Sequence, residues 1–176
     1  MSSRSLPLAG FFALLATGAL AQAPKFGSPA SEADIAAWNI EISPDGAGLP
    51  PGAGTVAGGE KVFVEKCQAC HGEKGAGKPN DQLAGGFGTL ARPDQPAVKT
   101  VGSFWPYATT LFDYTRRAMP WTAPKSLTDS EVYAVSAYIL NLNGIVPADA
   151  VMDAKSLPKV AMPNREGFSP FPRSAR

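Results

Sequence analysis

The chain has 176 residues, and its 16 Lys and Arg nearly balance 15 Asp and Glu. This balance argues against a surface built for nucleic acid or anionic lipid, and two cysteines are too few for a disulfide framework. The length suits one compact domain with extensions, and the 17 prolines and 18 glycines predict much irregular backbone around it.

Residues 1–21 are predicted to be a secretory signal peptide. Arg4 supplies the positive start, Leu6–Leu20 is an apolar stretch, and a small-x-small cleavage site ends at Ala21. The alternative is an uncleaved membrane anchor, but the apolar run is short for a spanning helix and contains proline and glycine. We therefore expect a periplasmic protein that has no membrane span after signal cleavage.

Residues 22–56 are predicted to be an N-terminal extension. Ser31 can cap a short helix that continues to Trp38, and a Pro-Asp-Gly turn and an aperiodic loop follow. A plain linker would explain this composition. An arm wrapped over the next domain would explain it equally well, because a free linker rarely needs apolar residues such as Trp38 and Leu49. Both interpretations stay open at this point.

From about Val56 the pattern becomes helical and continues into a cysteine motif. Gly59 and Phe63 stand four residues apart and therefore share one face of the predicted helix. A glycine inside a helix costs roughly 1 kcal/mol relative to alanine, so its presence predicts that another backbone passes close to it. The helix is expected to end near Cys67.

The pentapeptide Cys67-Gln68-Ala69-Cys70-His71 contains both cysteines and the one histidine of the chain. Cys-x-x-Cys-His is the attachment pattern of c-type haem, in which two thiols add to the vinyl groups and the imidazole binds the iron. A structural zinc site would need four nitrogen or sulfur ligands. A disulfide here would close a very short loop, and a thioredoxin-like redox pair would need a βαβ context. We therefore expect one covalently attached haem c.

Residues 72–88 are rich in glycine, which allows a backbone to approach a ligand closely. The lysine and hydroxyl spacing of a phosphate-binding P-loop does not follow. We expect a carbonyl of this loop, near Pro79 or Leu83, to accept a hydrogen bond from the ring nitrogen of His71 that does not bind iron. Such contacts orient metal-bound imidazoles.

A second helix is predicted over residues 104–118, with Pro106 in its first turn and Leu111 and Tyr114 on one stripe. Pro120 would end it, because the residue before a proline is disfavoured in the helical region. Donors to the haem propionates could come from this part of the chain, although an aromatic cluster with solvated arginines explains the same residues equally well. The candidate donors are Trp105, Tyr107, Arg116 and Arg117. Trp121 is expected to pack in the core, and packing on the haem edge or a place in a docking patch are the alternatives.

The sixth ligand of the iron is expected to be a methionine, because a chain with one histidine cannot supply two. Met1 leaves with the signal peptide, and Met119, Met152 and Met162 remain. We favour Met119, since it lies between two helices on a segment stiffened by the following proline, where it can cross the open haem face. Met162 follows the closing helix instead. Ligation by Met152 or Met162, or an open site, stays possible.

The last helix has clear boundaries in the sequence. Thr128 and Glu131 are predicted to form a capping box, an apolar stripe follows, and Gly144 is predicted to cap the C-terminal end. The face that carries Tyr138 is expected to cross the helix face that carries Gly59. Beyond this helix, the proline-rich remainder is predicted to wrap the surface or reach a partner.

The helix with Gly59, the haem motif, the Met-Pro pair at 119–120 and the closing helix together resemble a class I c-type cytochrome over residues 57–143. The resemblance implies an all-α fold, with a small class I cytochrome c domain at 57–144 around one covalently bound haem. The N- and C-terminal helices of that domain cross. Extended irregular arms would precede it at 22–56 and follow it at 145–176.

By the same resemblance, the haem is bound by four residues. Cys67 and Cys70 carry the thioether bonds, His71 is the proximal iron ligand and Met119 is the distal one. No catalytic residue is implied, because a cytochrome of this class carries electrons rather than converting a substrate.

A narrower resemblance covers most of the mature chain. Four stretches resemble the monohaem cytochrome subunits of bacterial sulfite dehydrogenases and, equally, the haem domain of the sulfane dehydrogenase cytochrome subunit. They are Ile35–Trp38, Pro44–Gly52, Lys99–Tyr114 and Leu157–Arg165. The resemblance implies two partners, a molybdenum-cofactor dehydrogenase subunit and a downstream cytochrome c that accepts the electrons. The chain departs from the longer sulfane type in having one haem motif and no additional domain.

Three functions follow from these observations. The favoured one is a non-catalytic electron-transfer subunit of a molybdenum-dependent sulfite or sulfane dehydrogenase. The second is a freestanding electron shuttle between respiratory complexes. The third is a haem enzyme or gas sensor with an open iron site, which requires that Met119 does not bind.

Overall fold

The computed structural model describes residues 26–169. The predicted signal peptide lies outside these residues. Two compact units are present, the first extending to Ala37 and the second beginning at Trp38. Among the described residues, no helix is both long enough and apolar enough to cross a lipid bilayer.

Helix α1 (Glu32–Trp38) confirms the short helix predicted in the N-terminal extension. Ser31 caps it, because its Oγ accepts a hydrogen bond from the Asp34 N–H at 3.2 Å. In return, the Asp34 carboxylate accepts hydrogen bonds from the Ser31 N–H and hydroxyl, which lowers the pKa of Asp34. The residue before the helix is therefore paired with its first turn in both directions.

The second unit consists of helices and one small sheet. Its elements are β1 (Ala53–Thr55), α2 (Val56–Lys66), α3 (Gln68–His71), α4 (Ala108–Ala118), α5 (Asp129–Leu142) and β2 (Val151–Asp153). Single turns of 3-10 helix lie at Glu73–Gly75, Thr89–Ala91 and Leu157–Lys159. The predicted all-α class is confirmed, and the two short strands are an addition to it.

Helices α2 and α5 cross at a glycine, as the sequence predicted. A Cβ atom built on Gly59 would lie 1.8 Å from the Ala134 carbonyl oxygen, so no side chain fits there. One turn further along, the ring of Phe63 packs on that of Tyr138 with 5.3 Å between the centroids. The missing side chain therefore lets the two backbones approach and brings the aromatic residues into contact.

Helix α5 begins and ends where the sequence predicted. The Thr128 Oγ1 accepts a hydrogen bond from the Glu131 N–H at 3.2 Å, and the Glu131 carboxylate accepts one from the Thr128 N–H at 2.8 Å. This is the complete capping box. Just beyond the helix, Gly144 has a φ of +64°, the left-handed conformation that ends helices at glycine.

Helix α4 begins at Ala108, four residues later than predicted. Thr100 and Ser103 form a side-chain turn instead: the Thr100 N–H donates to Ser103 Oγ at 2.9 Å, and the Ser103 N–H donates to Thr100 Oγ1 at 3.1 Å. Residues 101–104 therefore belong to a turn, and Pro106 precedes the helix. The predicted stripe is also partly wrong, since Tyr114 is 49% exposed and the core is contacted by other residues of the helix. The residues of α4 that are buried are Ala108, Thr109, Leu111, Phe112, Asp113 and Thr115.

The chain before α2 packs onto the core of its unit. Ile42 is buried, and Leu49 packs against the core cluster. The Tyr133 hydroxyl donates a hydrogen bond to the Pro50 carbonyl oxygen at 2.9 Å, which joins this segment to α5. Trp38, in contrast, is 85% exposed. Of the two interpretations, the wrapped arm therefore describes residues 42–55.

The chain after α5 also follows the surface of its unit. Strand β2 pairs antiparallel with β1, and Met152 lies opposite Gly54. Leu157 and Met162 are buried further along. The Asn164 Nδ2 then donates to the Phe104 carbonyl oxygen at 2.6 Å, close to the start of α4. The described part of this segment is therefore packed rather than extended away from the domain.

Candidate haem site

The attachment motif lies where α2 gives way to the single turn of α3. The Cys67 N–H donates to the Phe63 carbonyl at 2.9 Å, which completes α2. The N–H groups of Cys70 and His71 then both donate to the Cys67 carbonyl, at 3.1 and 3.0 Å. Residues three and four apart on a helical turn are neighbours, so the structure brings these three predicted site residues together.

The environment of Cys67 does not suit a redox-active or metal-binding thiol. It packs against the hydrophobic core, and burial raises the pKa of its thiol to about 11. A redox-active cysteine pair and a zinc site both need thiolates at neutral pH, and a raised pKa disfavours the thiolate. In addition, no group of three or more His, Cys, Asp or Glu side chains within residues 26–169 could hold a metal ion. The zinc and thioredoxin-like alternatives are therefore unsupported.

The ring of His71 is oriented by a backbone carbonyl. Its Nδ1 lies 2.8 Å from the Asp81 oxygen. A carbonyl oxygen can only accept, so Nδ1 carries the proton and the lone pair of the neutral ring is on Nε2, which is free for a metal. We expected this carbonyl near Pro79 or Leu83, and it lies between them.

The glycine-rich loop folds back on the motif and needs glycine to do so. The Asn80 N–H donates to the Cys70 carbonyl at 2.9 Å, and the Gly77 N–H donates to the His71 carbonyl at 2.8 Å. Gly72 has a φ of +74°, and a Cβ there would lie 2.4 Å from the Gly77 oxygen. These contacts hold the Asp81 carbonyl on the histidine side of the loop.

Asn143 fixes the far end of this loop and was missed by the sequence reasoning. Its Oδ1 accepts from the Gly85 N–H at 3.0 Å, and its Nδ2 donates to the Leu83 carbonyl at 3.1 Å. The Asn-Gly pair at the end of α5 is a possible signal, but of the two residues only Gly144 carries a local prediction, the helix end.

The three candidate methionines differ in burial. Met152 and Met162 are 5% and 3% exposed and belong to the hydrophobic core. Met119 is half-buried and occupies the position that ends α4, where its N–H donates to the Thr115 carbonyl at 3.1 Å. The polypeptide therefore already surrounds two of the candidate side chains and leaves the third partly accessible.

The arginines considered as propionate donors have carboxylate partners in the protein. Arg116 Nε lies 2.7 Å from Asp129 Oδ1, and Arg117 forms an ion pair with Asp113. Arg165 stacks on the ring of Tyr107. These residues therefore have partners within the protein, although the arginines are in ion pairs rather than solvated as the alternative expected. The expectation that Trp121 packs in the core is wrong, since this side chain is 77% exposed.

Comparison with known proteins extends these observations. A chain of the sulfane dehydrogenase SoxCD from Paracoccus pantotrophus superimposes with a TM-score of 0.75 and is 41% identical, covering 82% of this chain and 71% of that chain. A thiosulfate dehydrogenase from Psychrobacter arcticus is 29% identical over 118 residues, 64% of this chain. The match spans 35% of the length of that enzyme.

A sequence model of the cytochrome c family matches residues 56–143, which contain α2, the attachment motif, α4 and α5. The residues present suit a covalently bound haem c: two free cysteines lie one helical turn apart, and the adjacent imidazole keeps a nitrogen for the iron. When bound, this group supplies a one-electron couple. The chain belongs to the cytochrome c family, has the class I fold and carries electrons.

Proposed function

We propose that this cytochrome is the periplasmic monohaem subunit of a molybdenum-dependent sulfite or sulfane dehydrogenase. It would take electrons singly from the molybdenum subunit and pass them to a downstream cytochrome c, without converting a substrate itself. The observation that carries the proposal is the 41% identity to a chain of sulfane dehydrogenase SoxCD over 71% of its length. The similarity to a thiosulfate dehydrogenase also supports a role in the oxidation of inorganic sulfur compounds.

We further propose that Cys67 and Cys70 carry the thioether bonds and that His71 and Met119 bind the iron. The hydrogen bond from His71 to the Asp81 carbonyl supports the first ligand, because it leaves Nε2 for the metal. The burial of Met152 and Met162 supports Met119 as the second, since either alternative would have to leave the core.

In this proposal the protein sets the properties of the haem through its ligands and their surroundings. Hydrogen bonding by the Asp81 carbonyl makes the His71 ring more electron-rich and prevents its rotation. A thioether from Met119 raises the reduction potential, which suits an acceptor of the electrons released when sulfite or sulfane sulfur is oxidised.

Isolation from the native organism tests the partner and the location together. The protein should be released with the periplasmic fraction, carry one haem and copurify with a molybdenum-containing subunit. Sulfite or a sulfane donor should then reduce the haem within the purified complex. A lone monohaem protein that neither compound reduces, even after molybdenum proteins of the same fraction are added back, would favour a freestanding shuttle.

The open-site alternative is tested on the purified cytochrome. If Met119 binds the iron, added carbon monoxide or cyanide should bind slowly, because the thioether must first dissociate. Rapid binding to the untreated protein would favour a haem enzyme or a gas sensor.

A further inference from the structure

The side chain of Asn143 is buried and makes three hydrogen bonds to the backbone. Besides the bonds to Gly85 and Leu83, its Nδ2 donates to the Ile139 carbonyl at 2.9 Å within α5. Both ends of the amide are therefore occupied, with the oxygen on an N–H group and the nitrogen on two carbonyl groups. A carboxylate could keep only the first of these bonds, because it has no donor.

The backbone around this amide is built to receive it. A Cβ on Gly102 would lie 2.2 Å from the Asn143 Oδ1, so the position opposite the amide has to be glycine. Thr100 supports the same loop from another side, since its Oγ1 donates to the Gly85 carbonyl at 2.7 Å. Gly85 is thus held at both its N–H and its carbonyl.

The segment that Asn143 holds, Leu83–Gly85, directly follows the residues that carry the hydrogen-bond partner of His71, the Asp81 carbonyl. Leu83 lies two residues after Asp81, and the Leu83 N–H donates to the Gly75 carbonyl at 2.8 Å. The position of the Asp81 carbonyl therefore depends on Gly75, close to the attachment motif, and on Asn143, at the end of α5. A side chain that lies 72 positions after His71 in the numbering is connected to it through one short loop.

We propose that Asn143 is a positioning residue for His71. By holding Leu83 and Gly85 it keeps the Asp81 carbonyl on the Nδ1 proton, and in that way it contributes to the electron density on the iron-binding nitrogen and to the reduction potential. The inference rests on the proposed ligation of the iron by His71. It adds a residue that touches neither the haem attachment motif nor the sixth-ligand loop.

Asn143→Asp tests the proposal, because it keeps the shape and the acceptor but loses both donated bonds. The control is Asn141→Asp in the same helix end, where Nδ2 donates only to the Val146 carbonyl at 2.9 Å. Both variants are compared with the unaltered protein at equal haem content. Two quantities are measured: the midpoint potential and the rate at which the His71 Nδ1 proton exchanges with solvent, by NMR.

A weaker hydrogen bond to the Asp81 carbonyl makes the imidazole of His71 a poorer electron donor to the iron. This change favours the reduced state of the iron. Relative to Asn141→Asp, which adds the same negative charge, we expect the equilibrium constant for reduction in Asn143→Asp to rise by roughly three- to tenfold, up to the lower end of effects from outer ligand partners. Tenfold corresponds to about 59 mV for a one-electron couple. Exchange of the Nδ1 proton should accelerate by a similar factor. Asn141→Asp should leave the exchange rate unchanged, and any change in its potential measures the effect of the added charge alone.

Equal values for Asn143→Asp and Asn141→Asp would overturn the proposal. If Asn143→Asp fails to mature, Thr100→Val carries the test, since it removes the second support of Gly85 at nearly constant volume. It should shift both quantities in the same direction, and an unchanged potential would then refute the proposal. A spectrum of the unaltered protein without histidine ligation would instead refute the proposed ligation itself.

Discussion

Lys66 Nζ lies 2.7 Å from Glu131 Oε1, and this ion pair joins the last turn of α2 to the first turn of α5. Lys66 directly precedes Cys67, so the pair holds α2 at the point where it leads into the attachment motif. The same carboxylate completes the capping box through Thr128. One side chain therefore serves a helix cap and an interhelical contact at once.

Glu131→Gln should destabilise the protein in a pH-dependent way. Its hydrogen bonds from Lys66 and Thr128 lower the pKa of Glu131 from 4.5 to about 2. The stabilisation is therefore complete above about pH 5 and is lost as the pH falls from 4.5 towards 2. With the carboxylate partly exposed, we expect a loss of about 1 kcal/mol at pH 7.

Urea unfolding at pH 7 and at pH 2.5 measures this difference. The control is Glu65→Gln, which removes the same charge from an exposed site one residue before Lys66. At pH 7 the Glu131 variant should be clearly less stable than the control, and the gap should narrow in acid. A gap that stays constant with pH would show that the carboxylate charge is not the cause.

Gly59→Ala should be severely destabilising, whereas Gly58→Ala should be mild. A Cβ at Gly59 would lie 1.8 Å from the Ala134 carbonyl, a backbone atom that cannot move without shifting α5. At Gly58 the nearest atom is the Thr55 Oγ1 at 3.2 Å. We expect a loss of about 3 kcal/mol or more at Gly59, from overpacking. At Gly58, the higher helix propensity of alanine stabilises the helix by up to about 1 kcal/mol. This gain offsets the tight contact with Thr55.

Thermal unfolding of the two variants compares them directly, because they differ by one position in the same helix. Nearly equal midpoints would mean that α2 and α5 do not cross at Gly59.

Tyr133→Phe should loosen the arm before α2. Loss of the hydrogen bond to the Pro50 carbonyl should cost about 1 kcal/mol. Burial also raises the pKa of Tyr133 to about 12. The stabilisation by the neutral phenol is therefore complete below pH 10 and is lost as the pH rises towards 12, and this alkaline loss should disappear in the variant.

Limited proteolysis at neutral pH reports on the arm itself. Cleavage within residues 42–55 should be faster in Tyr133→Phe than in Tyr114→Phe, a control at an exposed tyrosine. Equal cleavage rates would show that this hydrogen bond does not hold the arm.

The elements that the sequence predicted correctly are those with local signals. The capping box of Thr128 and Glu131, the glycine after α5 and the glycine face of α2 each depend on residues close together in the chain. The predicted start of α4 was wrong because the hydroxyls of Thr100 and Ser103 compete with the helix for backbone hydrogen bonds. Two hydroxyl residues three positions apart are common in sequences, so this spacing does not predict a turn by itself.

Apart from the crossing of α2 and α5 at Gly59, long-range pairings could not be predicted from such local patterns. Strands β1 and β2 have three residues each, too few for an alternating pattern, and their partners are far apart in the chain. The hydrogen bonds of Asn143 to Leu83 and Gly85 are tertiary contacts between the end of α5 and the glycine-rich loop. At the haem site, the motif predicted the cysteines and the histidine, while the identity of the Asp81 carbonyl required the folded loop.

Met119→Leu, compared with Met162→Leu, is the substitution pair that addresses the iron ligands. Leucine conserves volume but cannot bind iron, so the first variant should lose the sixth ligand. Its potential should fall, and carbon monoxide should bind rapidly to the reduced form. The second variant replaces a buried core residue, so it should affect only stability. Its free energy of unfolding should fall by less than about 1.5 kcal/mol.

Ligation of the haem iron by Met119 is tested most directly by the absorption spectrum of the oxidised holoprotein, in the far-red region where an iron–thioether bond gives a charge-transfer band. Ligation of the iron by Met119 predicts this band in the unaltered protein and in Met162→Leu, and its loss in Met119→Leu. A band that survives in Met119→Leu and disappears in Met162→Leu, or one that is missing from the unaltered protein, would contradict it.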